Sequence, residues 1–168
     1  MEKKLGFGCW EKLQASGSAP SVRFGHSTAV VGDFLYVFGG GSYSDGEETV
    51  YHNDLFTLDC EKLMWSCVGQ EGDVPTPREG AILVAVSGSL YLYGGTDREG
   101  ATSCAQGLFL FDTVSCEWTR QSTSGSAPKA MSMSGVLCDG KIVTFGGVLS
   151  GKGCSRPTLL SSRVFDVE

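Results

Sequence analysis

The sequence FLYVFGG at residues 34–40 recurs as SLYLYGG at residues 89–95 and as KIVTFGG at residues 141–147. Each copy is a short run with alternating apolar residues, and this pattern is typical of a β-strand. The two closing glycines allow the backbone to turn where a side chain would obstruct it. The copies are spaced by 55 and 52 residues, and a fixed period of this length predicts a repeat architecture.

Other residues keep the same order and nearly the same period. In the complete units, four short apolar runs are separated by turn residues, which predicts four antiparallel strands rather than helices. Ser87-Gly88 and Asp139-Gly140 suit two-residue hairpin turns. We expect the repeated tryptophans, and the aromatic residue before each glycine pair, to be buried between sheets. The repeated markers are Trp10, Trp65 and Trp118; Pro20, Pro75 and Pro128; and Asp59, Asp112 and Asp166.

The motif P-x-x-R-x-G-H at residues 20–26, followed by the glycine pair and by an Asp with a Trp six residues later, resembles the Kelch repeat. P-x-P-R-x-G at residues 75–80 repeats it. The third unit departs, because Met131 stands in place of the Arg and Met133-Ser134 in place of Gly-His. The resemblance implies an all-β fold of Kelch-type β-propeller blades, with about three four-stranded antiparallel blades in an incomplete propeller.

The repeat also predicts how the chain is divided. Residues 1–14 hold a stray outer strand at 9–13, belonging to a preceding or closing blade; blades 1 and 2 span 15–68 and 69–121; and blade 3 spans 122–168 and lacks its outer strand. Propellers close with about four to eight blades. Three interpretations therefore stay open: a piece of a larger propeller, two chains that together supply six blades, or an open arc. Unpaired terminal strands favour homo-oligomerisation.

Composition narrows the function. The net charge of −6 argues against a nucleic-acid partner, and no apolar run is long enough for membrane insertion. The seven cysteines include no C-x-x-C pair, so we expect no metal or other cofactor and mostly buried free thiols. Reduced thiols and the absence of a visible signal peptide favour a cytoplasmic location, with the nucleus as the alternative.

We predict that the chain is not an enzyme and has no catalytic residues. Some plant Kelch proteins use a Glu-x-x-x-Asp-x-x-x-His run for iron, but Glu47 and Glu48 precede His52 without the required Asp. The alternative is a Kelch-propeller enzyme whose site lies on missing blades.

We therefore predict a non-catalytic protein–protein interaction module. The resemblance implies a ubiquitin-ligase substrate receptor, a trafficking effector or a scaffold. Binding residues concentrate on loops held by a rigid framework, and three long loops, at 41–53, 96–106 and 148–162, are predicted on one face. Their mixed charges suit a protein or peptide partner. The candidate partner-binding residues are Asp45, Glu47, Glu48, His52, Arg98, Glu99, Lys152 and Arg156.

Overall fold

A computed structural model describes residues 10–43, 49–96, 107–124, 130–149 and 163–166, with the backbone alone at 149 and 163–166. Every regular element in these residues is a β-strand, which confirms the all-β prediction. Within the same ranges, no helix is long and apolar enough to cross a membrane.

The first blade is a five-stranded sheet in the order β1-β5-β4-β3-β2. Four strands form the predicted antiparallel meander, and the two-residue strand β1 adds in parallel to the outer strand, where Ser16 pairs with Met64. A two-residue strand is too short to leave a periodic pattern in the sequence. The strands are β1 (Ser16–Gly17), β2 (Ser27–Val31), β3 (Phe34–Tyr43), β4 (Thr49–Asp59) and β5 (Met64–Val68).

The second blade repeats the first, in the order β6-β10-β9-β8-β7. Its strands are β6 (Glu71–Gly72), β7 (Glu79–Val86), β8 (Ser89–Thr96), β9 (Leu108–Asp112) and β10 (Glu117–Gln121). In the described part of the third blade, β12, β13 and β15 form one sheet, and β11 pairs with β14. These strands are β11 (Ala130–Met131), β12 (Ser134–Cys138), β13 (Lys141–Phe145), β14 (Val148–Leu149) and β15 (Arg163–Asp166).

The predicted turns are present. Ser87-Gly88 and Asp139-Gly140 have positive φ at both positions, as a tight hairpin with the right-handed strand twist requires. In the turn after β4, the Asp59 carboxylate accepts hydrogen bonds from the backbone N–H groups of Glu61 and Lys62, at 3.1 and 2.8 Å. Asp112 makes the equivalent pair after β9. The repeated aspartate is therefore a turn residue.

Three expectations about individual segments were wrong. The predicted loop at 41–53 is mostly strand, since β3 continues to Tyr43 and β4 begins at Thr49. No strand includes residues 10–13, although we predicted one at 9–13, and Trp10 is fully exposed. Of the four cysteines in the described residues, three are exposed and all are free, so they are not mostly buried thiols.

The third blade has a different register from the one predicted. Ser132 has a φ of 56°, close to the 65° of Gly80, and its N–H donates to the Gly80 carbonyl just as that of Gly80 donates to Gly25. The position equivalent to Arg78 is therefore Ala130, one residue before the predicted Met131, and Ser132-Met133 replaces Gly-His. The segment after Pro128 is one residue shorter than its counterparts, which a search by residue type does not detect.

The core consists of two apolar layers between the blades. One lies between blades 1 and 2 and includes Phe38, Leu90 and Trp118; the other lies between blades 2 and 3 and includes Tyr93 and Ile142. Three predicted core positions differ from expectation, because Trp10 is fully exposed, Trp65 is only half-buried and Phe145 is 63% exposed.

Candidate functional site

The best-defined surface feature surrounds Gly41 at the end of β3, between blades 1 and 2. Phe24 forms a two-way backbone bridge with Gly41, with both N–H···O distances at 2.8 Å. The Phe24 ring edge and the Glu79 Oε2 atom lie 3.1 and 3.3 Å from the point where a side chain at Gly41 would begin. A glycine here therefore lets an aromatic ring and a carboxylate from two blades converge on one place.

Tyr43 completes this cluster. Its ring stacks on Phe24 with a centroid distance of 4.9 Å and an interplanar angle of 30°. Tyr43 is nevertheless 77% exposed. The cost of holding a large ring in water is offset when a ligand covers it, so a stacked pair with one exposed ring at the end of a sheet is well suited to binding.

The Glu79 carboxylate has an unusual environment for an acidic residue. Partial burial raises the pKa of Glu79. No cation or hydrogen-bond donor for this carboxylate is found within the described ranges. A carboxylate partly removed from water gains more from a cationic ligand than a fully solvated one does, because the attraction is less screened.

The cluster formed by Phe24, Tyr43 and Glu79 was missed by the sequence analysis. Phe24 and Glu79 occupy the variable position of the R-x-G motif in successive blades, whereas the predicted site residues belong to the expected long loops. A residue that changes from Phe to Glu within a fixed motif could have signalled a position that the fold does not constrain.

Of the candidate residues, His52 alone lies within the described residues. It belongs to β4 rather than to a loop, and its Nε2 is hydrogen-bonded to Ser42 Oγ at 2.9 Å. Its carbonyl accepts the Arg78 N–H at 2.9 Å, which joins blade 1 to blade 2. The structure therefore gives His52 a scaffolding environment beside the cluster. Outside the described ranges lie Asp45, Glu47, Glu48, Arg98, Glu99, Lys152 and Arg156.

The two motif arginines are also scaffolding. Arg23 donates to the Gly39 carbonyl at 3.0 Å and forms an ion pair with Asp54. Arg78, with 2% of its surface exposed, donates to the Gly94 carbonyl at 3.1 Å. Each guanidinium ties the strand end at a glycine pair to the segment that enters the same blade, so these arginines are held away from a ligand.

A separate surface feature is an open groove of about 210 Å³ along the first long strands of the three blades. Its walls carry small hydroxyl and aliphatic groups, without a charged side chain among them. In the described residues, no group of three or more His, Cys, Asp or Glu side chains is placed to hold a metal ion. The groove is lined by Ser27, Thr28, Ala81, Ile82, Leu83, Met133, Ser134 and Gly135.

Comparison with known proteins gives a match over nearly the whole chain. The family model described as the KLHDC2/KLHL20/DRC7 Kelch-repeats domain matches residues 4–166. A Rho GTPase-activating protein, gacHH, of Dictyostelium discoideum is 34% identical over 147 residues, which cover 82% of this chain and 9% of that protein.

Two further relatives have different named activities. The N-(sulfonatooxy)prop-2-enimidothioate sulfolyase of Thlaspi arvense is 35% identical over 150 residues, covering 86% of this chain and 41% of that enzyme. The Rab9 effector protein with kelch motifs of Gallus gallus is 42% identical over 89 residues, covering 52% of this chain and 24% of the effector. This chain therefore spans less than half the length of each of the three relatives.

Proposed function

This chain belongs to the Kelch-repeat family, and we propose that it is a non-catalytic module that binds a protein or peptide partner through the face carrying Phe24, Tyr43 and Glu79. The observation that carries the proposal is the exposed Tyr43 ring, stacked on Phe24, beside a carboxylate that is partly removed from water. The name of one relative, a Rab9 effector protein, supports an effector role. We propose a trafficking effector on this basis, with a ubiquitin-ligase substrate receptor or a scaffold as the other roles.

The chemistry of the cluster points to a partner segment that presents a lysine or arginine side chain. Aromatic faces attract cations, and a neighbouring carboxylate adds a charge-assisted hydrogen bond. Asp45, Glu47 and Glu48 follow Tyr43 directly in the chain, and we propose that they increase the attraction. Arg98, Glu99, Lys152 and Arg156 would then contact groups of either charge around the anchor.

A peptide array tests this function. The probes are peptides that contain Lys or Arg and matched peptides in which Lys is acetylated or replaced by Gln. We expect binding to the cationic set and a loss of about tenfold or more in affinity for Glu79→Gln, typical of losing one charged contact. Glu117→Gln, an exposed residue on β10, is the matched control. Equal binding of cationic and acetylated peptides would show that the cluster is not a cation site.

Charge reversal tests the wider face. We expect reversal at Glu47, Glu48, Arg98 and Arg156 together to abolish capture of a protein partner, while the unfolding temperature hardly changes, because exposed charges contribute little to stability. Pull-downs that recover the same partners with the reversed protein would place the binding surface elsewhere.

The enzyme alternative rests on the sulfolyase relative, whose name states a catalytic activity. Under this alternative the active site would lie on blades beyond this chain. Metal analysis and a small-molecule turnover screen on the full-length protein separate the two classes. Turnover that survives Glu79→Gln would favour the enzyme, and peptide capture without turnover would favour the binding module. The cytoplasmic location stays a prediction.

A further inference from the structure

Each blade uses two different faces to pack against its neighbours. We define the front face of a blade as the one toward the preceding blade and the rear face as the one toward the following blade. At the junction of blades 1 and 2, Phe38 on the rear face of blade 1 meets Trp118 on the front face of blade 2. Their ring centroids lie 5.5 Å apart in an edge-to-face arrangement.

The front face of blade 1 and the rear face of blade 3 carry the same kinds of side chain as the faces at this junction. Neither face has a neighbouring blade in the described residues. On the front face of blade 1, Trp65 is half-buried and Val30 is 57% exposed. On the rear face of blade 3, Phe145 and Val136 are 63% and 59% exposed. By repeat register, Trp65 is the counterpart of Trp118, and Phe145 is the counterpart of Phe38.

The glycine pairs record the same relation in the backbone. A Cβ atom at Gly39 would lie 2.7 Å from the Arg78 carbonyl, and one at Gly94 would lie 2.5 Å from the Ala130 carbonyl. A Cβ at Gly146 would meet nothing within 4 Å among the described residues. The space beside Gly146 is therefore open to the backbone of another blade.

We infer that the front face of blade 1 binds the rear face of blade 3 of a second copy of this chain, so that Trp65 of one copy packs on Phe145 of the other. The two faces are complementary because they are the two halves of a junction that this chain already forms twice. Such a contact is head-to-tail. Two copies of the 168 residues supply six blades, which is within the range in which propellers close.

The contact differs from the homo-oligomerisation through unpaired terminal strands that the sequence predicted. Residues 10–13 belong to no strand, so they do not supply a preformed strand for exchange. The apolar sheet faces provide the surface instead, and burying large apolar side chains drives association. The inference does not depend on the proposed binding of a cationic peptide.

Lysine substitutions on the two faces test the inference with the 168-residue chain. We expect the unaltered chain to sediment as a dimer at concentrations from about 1 to 100 µM, and Val30→Lys or Val136→Lys alone to weaken the dimer about 30-fold or more. Val22→Lys and Val114→Lys are controls, since both valines are almost fully exposed and lie outside the two faces. All four variants should retain the β-type circular dichroism spectrum.

Mixing the two variants provides the decisive arm. Val30→Lys leaves the rear face intact and Val136→Lys leaves the front face intact, so an equimolar mixture should regain a dimer with one unaltered junction. A symmetric contact through one face would instead be weakened by only one of the two lysines and would not be regained on mixing, which would overturn the head-to-tail arrangement. An unaltered chain that stays monomeric would overturn the second copy as the occupant and favour additional blades of a longer chain. A dimer unchanged by either lysine would place the contact elsewhere.

Discussion

Trp118 in blade 2 and Trp65 in blade 1 occupy equivalent positions of the repeat, and their surroundings differ. Trp118 has 1% of its surface exposed, and its ring packs against Phe38 of the preceding blade and Phe111 of its own blade. Its Nε1–H donates to Gln70 Oε1 at 2.7 Å. Trp65 is only half-buried.

The cause lies in the neighbouring blade rather than in the tryptophan. Trp118 is covered by the rear face of blade 1, and Trp65 has no such neighbour in the described part of the chain. The same contrast separates Phe38, which is fully buried, from Phe145, which is largely exposed. A side chain on a sheet face is therefore buried only where an adjacent blade covers it. The same position of the repeat consequently contributes differently to stability in different blades.

The largest expected effect separates the two tryptophans directly. We expect Trp118→Ala to lower the free energy of unfolding by about 3–5 kcal/mol, because it opens a cavity between blades. Trp65→Ala should cost only about 1–2 kcal/mol, since less apolar surface returns to water. Urea unfolding of dilute protein, at concentrations where the proposed second copy is absent, measures both values. Equal losses would show that the blade-to-blade contact does not determine stability at these positions.

The glycine pairs extend the comparison to the backbone. Gly94 and Gly146 both have positive φ, 74° and 76°, so alanine is strained at either position. We expect Gly94→Ala to cost about 1–3 kcal/mol more than Gly146→Ala, because it alone forces a Cβ against the Ala130 carbonyl. Thermal unfolding of the two variants, again in dilute protein, provides the measurement. A smaller loss at Gly94 would contradict the close packing of blades 2 and 3.

The smallest expected effect concerns the aspartate turns. The Lys62 side chain and two backbone N–H groups lower the pKa of Asp59, whereas the N–H groups of Ser115 and Val114 lower the pKa of Asp112. A lowered pKa in the folded state stabilises the fold above the ordinary aspartate pKa, near 4, and this stabilisation is lost as the pH falls through the lowered value. Asp112→Asn should therefore make the unfolding temperature slightly less sensitive to acid.

Added salt should distinguish the contributions of the two turns to the acid dependence of stability. Added salt should weaken the acid dependence contributed by Asp59, because the Lys62 side chain is mostly exposed and its attraction is screened. The contribution from Asp112 should change less, since its donors are backbone groups. Unfolding temperatures of Asp59→Asn and Asp112→Asn between pH 2 and 5, in low salt and in roughly 0.5 M salt, measure the difference. Identical salt responses would mean that Lys62 adds nothing.

The repeat in the sequence was sufficient to predict the all-β class and the hairpin turns, because these depend on local backbone chemistry. It also identified Asp59 and Asp112 as equivalent positions, and the hydrogen bonds of the structure then gave both of them a turn role. The one-residue shift that makes Ala130 the counterpart of Arg78 was not predictable from residue types. It became evident only from the positive φ of Ser132 and from its hydrogen bond to Gly80.

The cluster of Phe24, Tyr43 and Glu79, for which we propose a binding role, was less accessible to sequence reasoning. Tyr43 and Glu79 come from strands of two different blades and Phe24 from an isolated bridge before β2, and their convergence depends on the space left at Gly41. The charges of the predicted loops indicated other candidate residues. His52, the one candidate within the described residues, is a strand residue that helps to hold two blades together.

The sequence by itself determined that each unit folds into a twisted antiparallel sheet, since period-two apolar runs and glycine turns act within one unit. The tertiary structure decided which of the equivalent side chains are buried, because that requires the surface of another blade. Phe38 and Phe145 occupy equivalent positions before a glycine pair. The packing of the next blade makes Phe38 part of the core, and Phe145 is exposed because no described blade covers it.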